Sequence, residues 1–359
     1  MMGGEAGPAG SEQITIEVIN SLAMVREFRQ AHAGHSLLQG DRGQDLRWLE
    51  AVCSGLRHEP QLIIARRSDE VVGLLPLAFV KSWVFGRFLV SLPYVNSAGV
   101  NADDEWAARE LIDRAVELAD ELNVRHLELR HEQPIEHAAL SETLTSKVHM
   151  RLPLPASPEE LWKSFRPKVR NQIRKGEKQG LSVRWGREQL LPEFYAVFAR
   201  NMRDLGTPVF SCGLFASILS VFPDEAELCV VRLGERPVAV AILVHGCRLT
   251  EVPSASALRQ FNSTNANMLM YWHLLQRAIE RGQRGFDFGR SSADSNTYRF
   301  KKQWGAEPQP AAWQFFVRSG SPSDMRPESS KYAMAVKVWQ KLPLGLTRLI
   351  GPSIVRGIP

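Results

Sequence analysis

The chain reads as an α/β protein made of two similar units in tandem, each a mixed sheet flanked by helices. Three observations point there. Residues 61–77 (QLIIARRSDEVVGLLPL) and 227–243 (ELCVVRLGERPVAVAIL) align without a gap. Residues 106–130 match residues 271–290, each a helix-period pattern running into a strand. Finally, the order of helices, hairpin, helix and strand occurs twice, which is the mark of a duplicated supersecondary unit.

Each element has its own reason. Both 61–77 and 227–243 are apolar runs broken by a charged turn, at Arg67–Glu70 and at Gly234–Arg236, so each reads as a β-hairpin. In residues 106–130, Leu111, Ala115, Leu118 and Leu122 fall on one helical face. Between the units, Ser157, Pro158 and Glu160 open a helix with an N-cap serine, a proline in the first turn and a capping-box glutamate. Pro167 restarts a second helix, which Gly180 closes. The expected organisation is a disordered leader over 1–13, a first unit over 14–150, a basic helical connector over 151–180, a second unit over 181–318, and a linker with an amphipathic tail over 319–359.

Composition bounds the function classes. Hydrophobic residues make up 44% and charged residues 23%, which suits a globular chain with sizeable cores. The net charge of +5 favours an anionic partner such as a nucleotide, coenzyme A, tRNA or a membrane surface. Four cysteines lie far apart with no CxxC pair, and nine histidines show no metal-ligand spacing, so reduced thiols and no metal site are expected. The N-terminus has neither a basic nor an apolar signal-peptide region, and the longest apolar runs are too short to cross a bilayer. These traits imply a cytoplasmic protein. No RNP, KH or zinc-knuckle pattern is present, and no sequence-specific DNA binding is expected.

Chemistry-bearing residues concentrate in 286–310 (FDFGRSSADSNTYRFKKQWGAEPQP). Phe286 and Phe288 alternate with Asp287 and Gly289, as in a buried strand ending in a tight turn at Gly289. A polar loop follows, then a short helix over Tyr298–Lys302 that Trp304 and Gly305 stop. A strand delivering Asp287 and Arg290 into a polar loop beside Tyr298, Lys301 and Lys302 is a common way to place a site on a rigid scaffold. Arg290 and Lys302 suit a phosphate or carboxylate, and Trp304 reads as a stacking wall or core. In the first unit Arg130 and His131 take the comparable position and read as a salt-bridged surface pair. From Lys163 to Lys178 seven basic residues meet one acid, Glu177, with Arg166, Arg170 and Arg174 at helical spacing. That face is either simply solvated or binds phosphates, Arg170 and Arg174 foremost. Arg203 is either half of an ion pair with Asp204 or a cleft residue.

These stretches, namely 287–310, 199–211 (ARNMRDLGTPVFS), 161–180 (LWKSFRPKVRNQIRKGEKQG) and 72–100, resemble the Fem-type branch of the GNAT-like acyltransferases. The resemblance extends to a FemAB-related group associated with exosortase/PEP-CTERM exopolysaccharide systems. It implies two GNAT-like lobes and transfer of an acyl or aminoacyl group to an amine, with acyl-coenzyme A or aminoacyl-tRNA as co-substrate and no tightly bound cofactor. It implies that Phe300 and Lys301 form a pair that steadies charge during transfer. Asp287 would orient or deprotonate the amine, Tyr298 would protonate the leaving group, and Glu251, on the strand lining the acyl channel, is a second base candidate. The glycines that hold the coenzyme A pyrophosphate in ordinary GNAT enzymes are missing; Asn265 and Asn267 precede the helix instead and could present backbone N–H groups to an anion. The acceptor implied is an amino sugar, a lipid-linked glycan or a modified peptide. Two other classes stay open: a catalytically silent scaffold of the same fold, or a tRNA- or membrane-peripheral binding protein. The basic tail either packs on a lobe or touches a membrane.

Overall fold

The computed structural model describes residues 13–40, 42–320 and 330–358. The expected leader, apart from Gln13, and most of the linker lie outside these residues. The first lobe opens with β1 (Ile14–Ile19), α1 (Leu22–Ala31) and α2 (Arg47–Leu56). The hairpin β2 (Glu59–Arg67) and β3 (Glu70–Ser82) follows, then β4 (Gly86–Val90), β5 (Asn101–Ala102), α3 (Glu105–Glu121), β6 (His126–His131) and β7 (Glu142–Leu144). The second lobe comprises β8 (Lys147–Pro153), α4 (Pro158–Ser164), α5 (Pro167–Glu177), β9 (Leu181–Gly186), α6 (Leu191–Leu205) and α7 (Cys212–Val221). It continues with the hairpin β10 (Ala226–Leu233) and β11 (Arg236–His245), then β12 (Leu249–Ala257), α8 (Ala266–Glu280), β13 (Gly285–Ser292), α9 (Asn296–Lys302) and β14 (Glu307–Pro310). The chain ends with β15 (Ala312–Val317), α10 (Ser330–Lys341) and α11 (Leu344–Val355). The duplicated order foreseen from the sequence is present, and both hairpins turn where the charged residues fall.

The sheets are mixed, and they exchange strands. One runs β1-β2-β3-β4-β6-β15-β7, with β5 beside β3; the other runs β14-β8-β13-β12-β11-β10-β9. So β15, expected in the second unit, pairs with β6 from Ala312↔His131 to Val317↔His126. Conversely, the expected boundary at 150 falls inside β8, whose register with β13 runs from Gly285↔Pro153 to Ser292↔Lys147. Each lobe contains one parallel pair, β4 with β6 and β12 with β13, and that second pair holds for only three residue pairs, ending at Glu251↔Asp287.

The largest core belongs to both lobes. Trp48, Leu62 and Ile64 of the first pack in one cluster with Phe194, Phe198, Phe215 and Val240 of the second. The helices α2 and α7 meet so closely that a Cβ on Gly55 would stand 2.6 Å from the Leu214 Cα, and Ser211 donates to the Gly55 carbonyl at 3.0 Å. A shared apolar seam holds the lobes at a fixed distance, because burying it is the main favourable term in their association. The basic connector helix α5 is built into the second lobe: Val169, Ile173 and Gly176 are buried, and Gly176 lets the helix approach Leu269 on α8.

The tail packs. Thr347, Gly351 and Val355 of α11 are buried; Arg203 donates to the Leu342 carbonyl at 3.3 Å and Gln340 to the Asp204 carbonyl at 3.2 Å. Leu346 and Leu349 remain exposed. Among the described residues no helix is long and apolar enough to cross a membrane.

Candidate active site

The site grows from β13. Phe286 and Phe288 point to the second lobe's core, Phe288 stacking with Tyr271 at 5.6 Å, and so Asp287 turns to the opposite face, toward the first lobe. Strict alternation would then send Arg290 back into the core. The strand avoids this with a bulge: its register against β8 shifts between Asp287 and Arg290, and Gly289 adopts φ +76°. Gly289 was expected to end the strand in a turn; instead the strand continues through it to Ser292. Asp287 accepts the Gly289 N–H at 2.7 Å, which fixes the bulge. Asp287 and Arg290 thereby share a face with Arg151 and His149, their partners across β8.

Asp287 is buried and bonded to Arg151 at 3.0 Å. Arg151 also holds Glu132, beyond the end of β6, through two bonds at 3.0 and 2.7 Å, and Ser97 donates to Glu132 at 3.0 Å. A chain of charge therefore crosses from one lobe to the other. A cavity of about 300 Å³ opens beside its first-lobe end, lined by Gln44, Ser97, Gly99, Arg130, His131 and Glu132. Glu251 faces Asp287 directly across the parallel pair. Where β12 and β13 diverge beyond that pair, the first lobe fills the gap: Tyr94 bonds Ser254 at 2.9 Å, and Asn96 lies against Gly289.

Lys301 is buried under the bulge. Its ammonium donates to the Gly289 and Arg290 carbonyls, both at 3.0 Å. Burial pushes its pKa down to about 8, with Asp287 opposing the shift and Arg290 reinforcing it. Ser295 caps the helix that carries it by accepting the Tyr298 N–H at 3.1 Å. Arg290 lies over Trp313, its guanidinium carbon 3.3 Å from the ring centroid, and burial lowers its pKa to about 9, helped by Arg130. Trp313 donates to the Asn96 carbonyl at 3.3 Å, and the Arg130 guanidinium lies 4.0 Å from the same ring.

The remaining expected residues fall elsewhere. Trp304 is core, 1% exposed, and Phe300 packs edge-on to Tyr271 at 5.0 Å. Lys302 is exposed, with its ammonium 5.6 Å over the Tyr298 ring. Arg203 pairs with Asp204 at 2.7 Å and ties down the tail. Arg170 and Arg174 lie on α5, and among the described residues none of the seven cations of 163–178, on α4, α5 and the caps of α5, has an ion pair; Arg174 lies 5.4 Å over Trp162. Asn265 adopts φ 57° before α8 without a side-chain cap bond; Thr264 makes that bond instead, accepting the Ala266 N–H at 3.3 Å, and Asn267 lies in the first turn. Arg130 and His131, read as a surface pair, are both buried: Arg130 bonds Glu128 at 2.7 Å and the Leu92 and Val95 carbonyls, while His131 bonds Gln314 at 2.8 Å.

Arg151, Glu132, His149, Trp313, Tyr94 and Asn96 were missed. A signal existed for two of them. In KVHMRLP, polar residues alternate with Val148, Met150 and Leu152, as in a strand with one face on a core and one on a polar layer.

A hairpin, a third antiparallel strand, a helix and a parallel strand that splays from its neighbour form an acetyltransferase-like unit. Residues 163–302 match the family model of the acetyltransferase (GNAT) domain. The match runs from α4 through α9 and takes in the GNAT domain's whole charged segment on β13. No curated protein matches the chain. Three solved structures share the tandem arrangement. FemX superposes with a TM-score of 0.59 at 16% identity, covering 84% of this chain and 97% of that one. L-PGS from Bacillus licheniformis gives 0.55 at 13%, covering 92% and 98%. A tandem GNAT protein from the clavulanic acid biosynthesis pathway gives 0.51 at 12%, covering 87% and 100%. The chain thus has a tandem GNAT fold of two mixed sheets.

Proposed function

We propose that the protein transfers an acyl or aminoacyl group to an amine at the seam between its lobes. The observation that carries this reading is the polar face of the second sheet. The bulge at Gly289 collects Asp287, Arg290, Arg151 and His149 on one side, opposite the first lobe and with Lys301 beneath. In the reaction the amine nitrogen attacks the acyl carbonyl. A C–N bond forms, the ester C–O or thioester C–S bond breaks, and the proton lost by the amine ends on the leaving group. Asp287 and Glu251 would orient the amine and receive its proton. Lys301 would offset the negative charge developing on the carbonyl oxygen, and Tyr298 would protonate the leaving group.

The donor that best fits is an aminoacyl-tRNA. Among the described residues the exposed cations of α4 and α5 have no carboxylate partners, so RNA phosphates could take them without breaking an ion pair. The glycine loop that would seat a coenzyme A pyrophosphate is missing from 259–267. The acceptor, on the Fem-type resemblance, is an amino-bearing component of an exopolysaccharide or the cell envelope, with the exposed Leu346 and Leu349 of the tail available for peripheral membrane contact.

A scaffold role is the second reading, and one observation favours it: Asp287 is already bonded to Arg151, and Lys301 to two carbonyls. Titrating the protein at low salt with acetyl- and long-chain acyl-coenzyme A, and separately with charged and uncharged tRNA, separates these. Tighter binding of charged tRNA is the expected result. Saturable acyl-coenzyme A binding would move the enzyme to thioester chemistry, and binding of neither would leave the scaffold.

A further inference from the structure

Among the described residues, the cations gathered at the seam are bonded, with one exception. Arg151 is bonded to Glu132 and Asp287, Arg130 to Glu128 and two carbonyls, and Lys301 to two carbonyls. Arg290 is half-buried over Trp313, and among the described residues its guanidinium meets neither a carboxylate nor a carbonyl at hydrogen-bonding distance. A half-buried guanidinium that reaches solvent and has no carboxylate partner can take an anion without breaking an ion pair.

The group is also held for binding. Trp313 holds the guanidinium from 3.3 Å, and Trp313 is itself tied to the Asn96 carbonyl. A guanidinium held this way matches two oxygens of one anion and loses little entropy in doing so. A second, separate observation lies directly across the strand pair. His149, opposite Arg290, is 0% exposed, and neither of its ring nitrogens has a partner. Burial lowers the His149 pKa, with Asp287 opposing the shift and Arg290 and Lys301 adding to it, so at neutral pH the ring carries one N–H donor rather than a charge.

We propose that Arg290, held over Trp313 and opposite His149, is the receptor for a two-oxygen anion, carboxylate or phosphate, borne by the acceptor of the transfer. The inference rests on the reading of the seam as the transfer site. The acceptor would then carry an anionic group close to its amine, as an amino acid, a peptide terminus or a sugar phosphate does; a neutral amino sugar would leave Arg290 uncompensated.

The test is binding to the full chain, without any acyl donor. Thermal melts at fixed ionic strength would follow titration with inorganic phosphate, and separately with acetate, for the wild type, Arg290→Met, Trp313→Leu and, as a control far from the seam, Arg109→Glu on the exposed face of α3. A saturable rise in the wild-type Tm is expected with one probe, phosphate identifying a phosphorylated acceptor and acetate a carboxylated one. Arg290→Met should lower affinity at least tenfold, Trp313→Leu should lower it less, and Arg109→Glu should bind as the wild type does. If Arg290→Met does not fold, the Trp313→Leu titration decides. No saturable shift with either probe, or undiminished binding in these two seam variants, overturns the proposal. Because no transfer is measured, an anion site without acyltransferase activity would sink the functional reading and leave the receptor standing.

Discussion

Strands β6 and β13 occupy the same place in the two lobes, each lying parallel to a neighbour and following the helix of its unit, but they have been put to different use. Along β6 the register with β15 is unbroken from His126 to His131, and Glu128 and Arg130 bond to each other. Arg130 also holds the Leu92 and Val95 carbonyls, so it knots the loop after β4 to the sheet. Along β13 one extra residue at Gly289 shifts the register and brings Asp287 and Arg290 to one face without joining them. Asp287 reaches Arg151 instead, and Arg290 is left on the indole of Trp313. A duplicated strand ties its lobe together in one case and leaves a guanidinium without a carboxylate in the other, and the device that separates them is a bulge.

That contrast can be broken at several points. Removing the cation should hurt only the first lobe. Arg130→Met leaves Glu128 buried and unpaired and should lower stability by about 3–5 kcal/mol in urea melts, whereas Arg290→Met should leave stability near or above the wild type. Equal losses would make Arg290 structural too. Next, Lys301→Met should lower turnover by about 10²–10³, as loss of one oxyanion donor does, with a smaller fall in stability. Full turnover in that variant would remove Lys301 from the chemistry. The Arg170→Glu, Arg174→Glu pair should weaken tRNA binding by roughly tenfold at low salt and flatten its salt dependence, with an unchanged melt. Unaltered binding would return α5 to a plain solvated face. The smallest effect is a pH slope. The Lys301 pKa is depressed to about 8 in the fold, so the unfolded chain binds more protons between about pH 8 and the usual lysine range near 10.5. Stability should therefore rise with pH across that window, by on the order of 1 kcal/mol, relative to Lys301→Met. Parallel curves for the two proteins would place the lysine in an ordinary environment.

The local elements were legible because their signals are local. Arg67–Glu70 and Gly234–Arg236 interrupt apolar runs, and the hairpins turn there. Ser157 caps its helix by accepting the Glu160 N–H, as its spacing foretold. Partnership between distant strands was not legible. Residues 312–317 are apolar but for Gln314, as many strands are, and nothing in them says that β6, nearly two hundred residues earlier, is the neighbour. The site divided along the same line. Asp287, Arg290 and Lys301 stood together in one short segment, while Arg151, Glu132 and Trp313 come from β8, the end of β6 and β15, and meet that segment only through the exchange. Likewise His245, bonded to Thr250 at 2.8 Å and to Glu227 at 2.9 Å, has the spacing of a hydrolytic triad, but Thr250 is wholly buried and Glu227 is bound by Arg277 at 2.8 Å, so this group braces the sheet.

The exchange of strands also sets a timetable. In the first sheet β15 stands between β6 and β7, so as the chain leaves the ribosome the open edge of β6 must wait for about 180 further residues before its neighbour exists. An unpaired interior edge is a template for other chains. A fragment ending near residue 150 would carry that edge permanently, and with it the Trp48, Leu62 and Ile64 surface that the second lobe covers. Such a fragment should aggregate rather than fold, and tags, truncations and insertions are better placed ahead of Ile14 or beyond Ile358 than anywhere between the lobes.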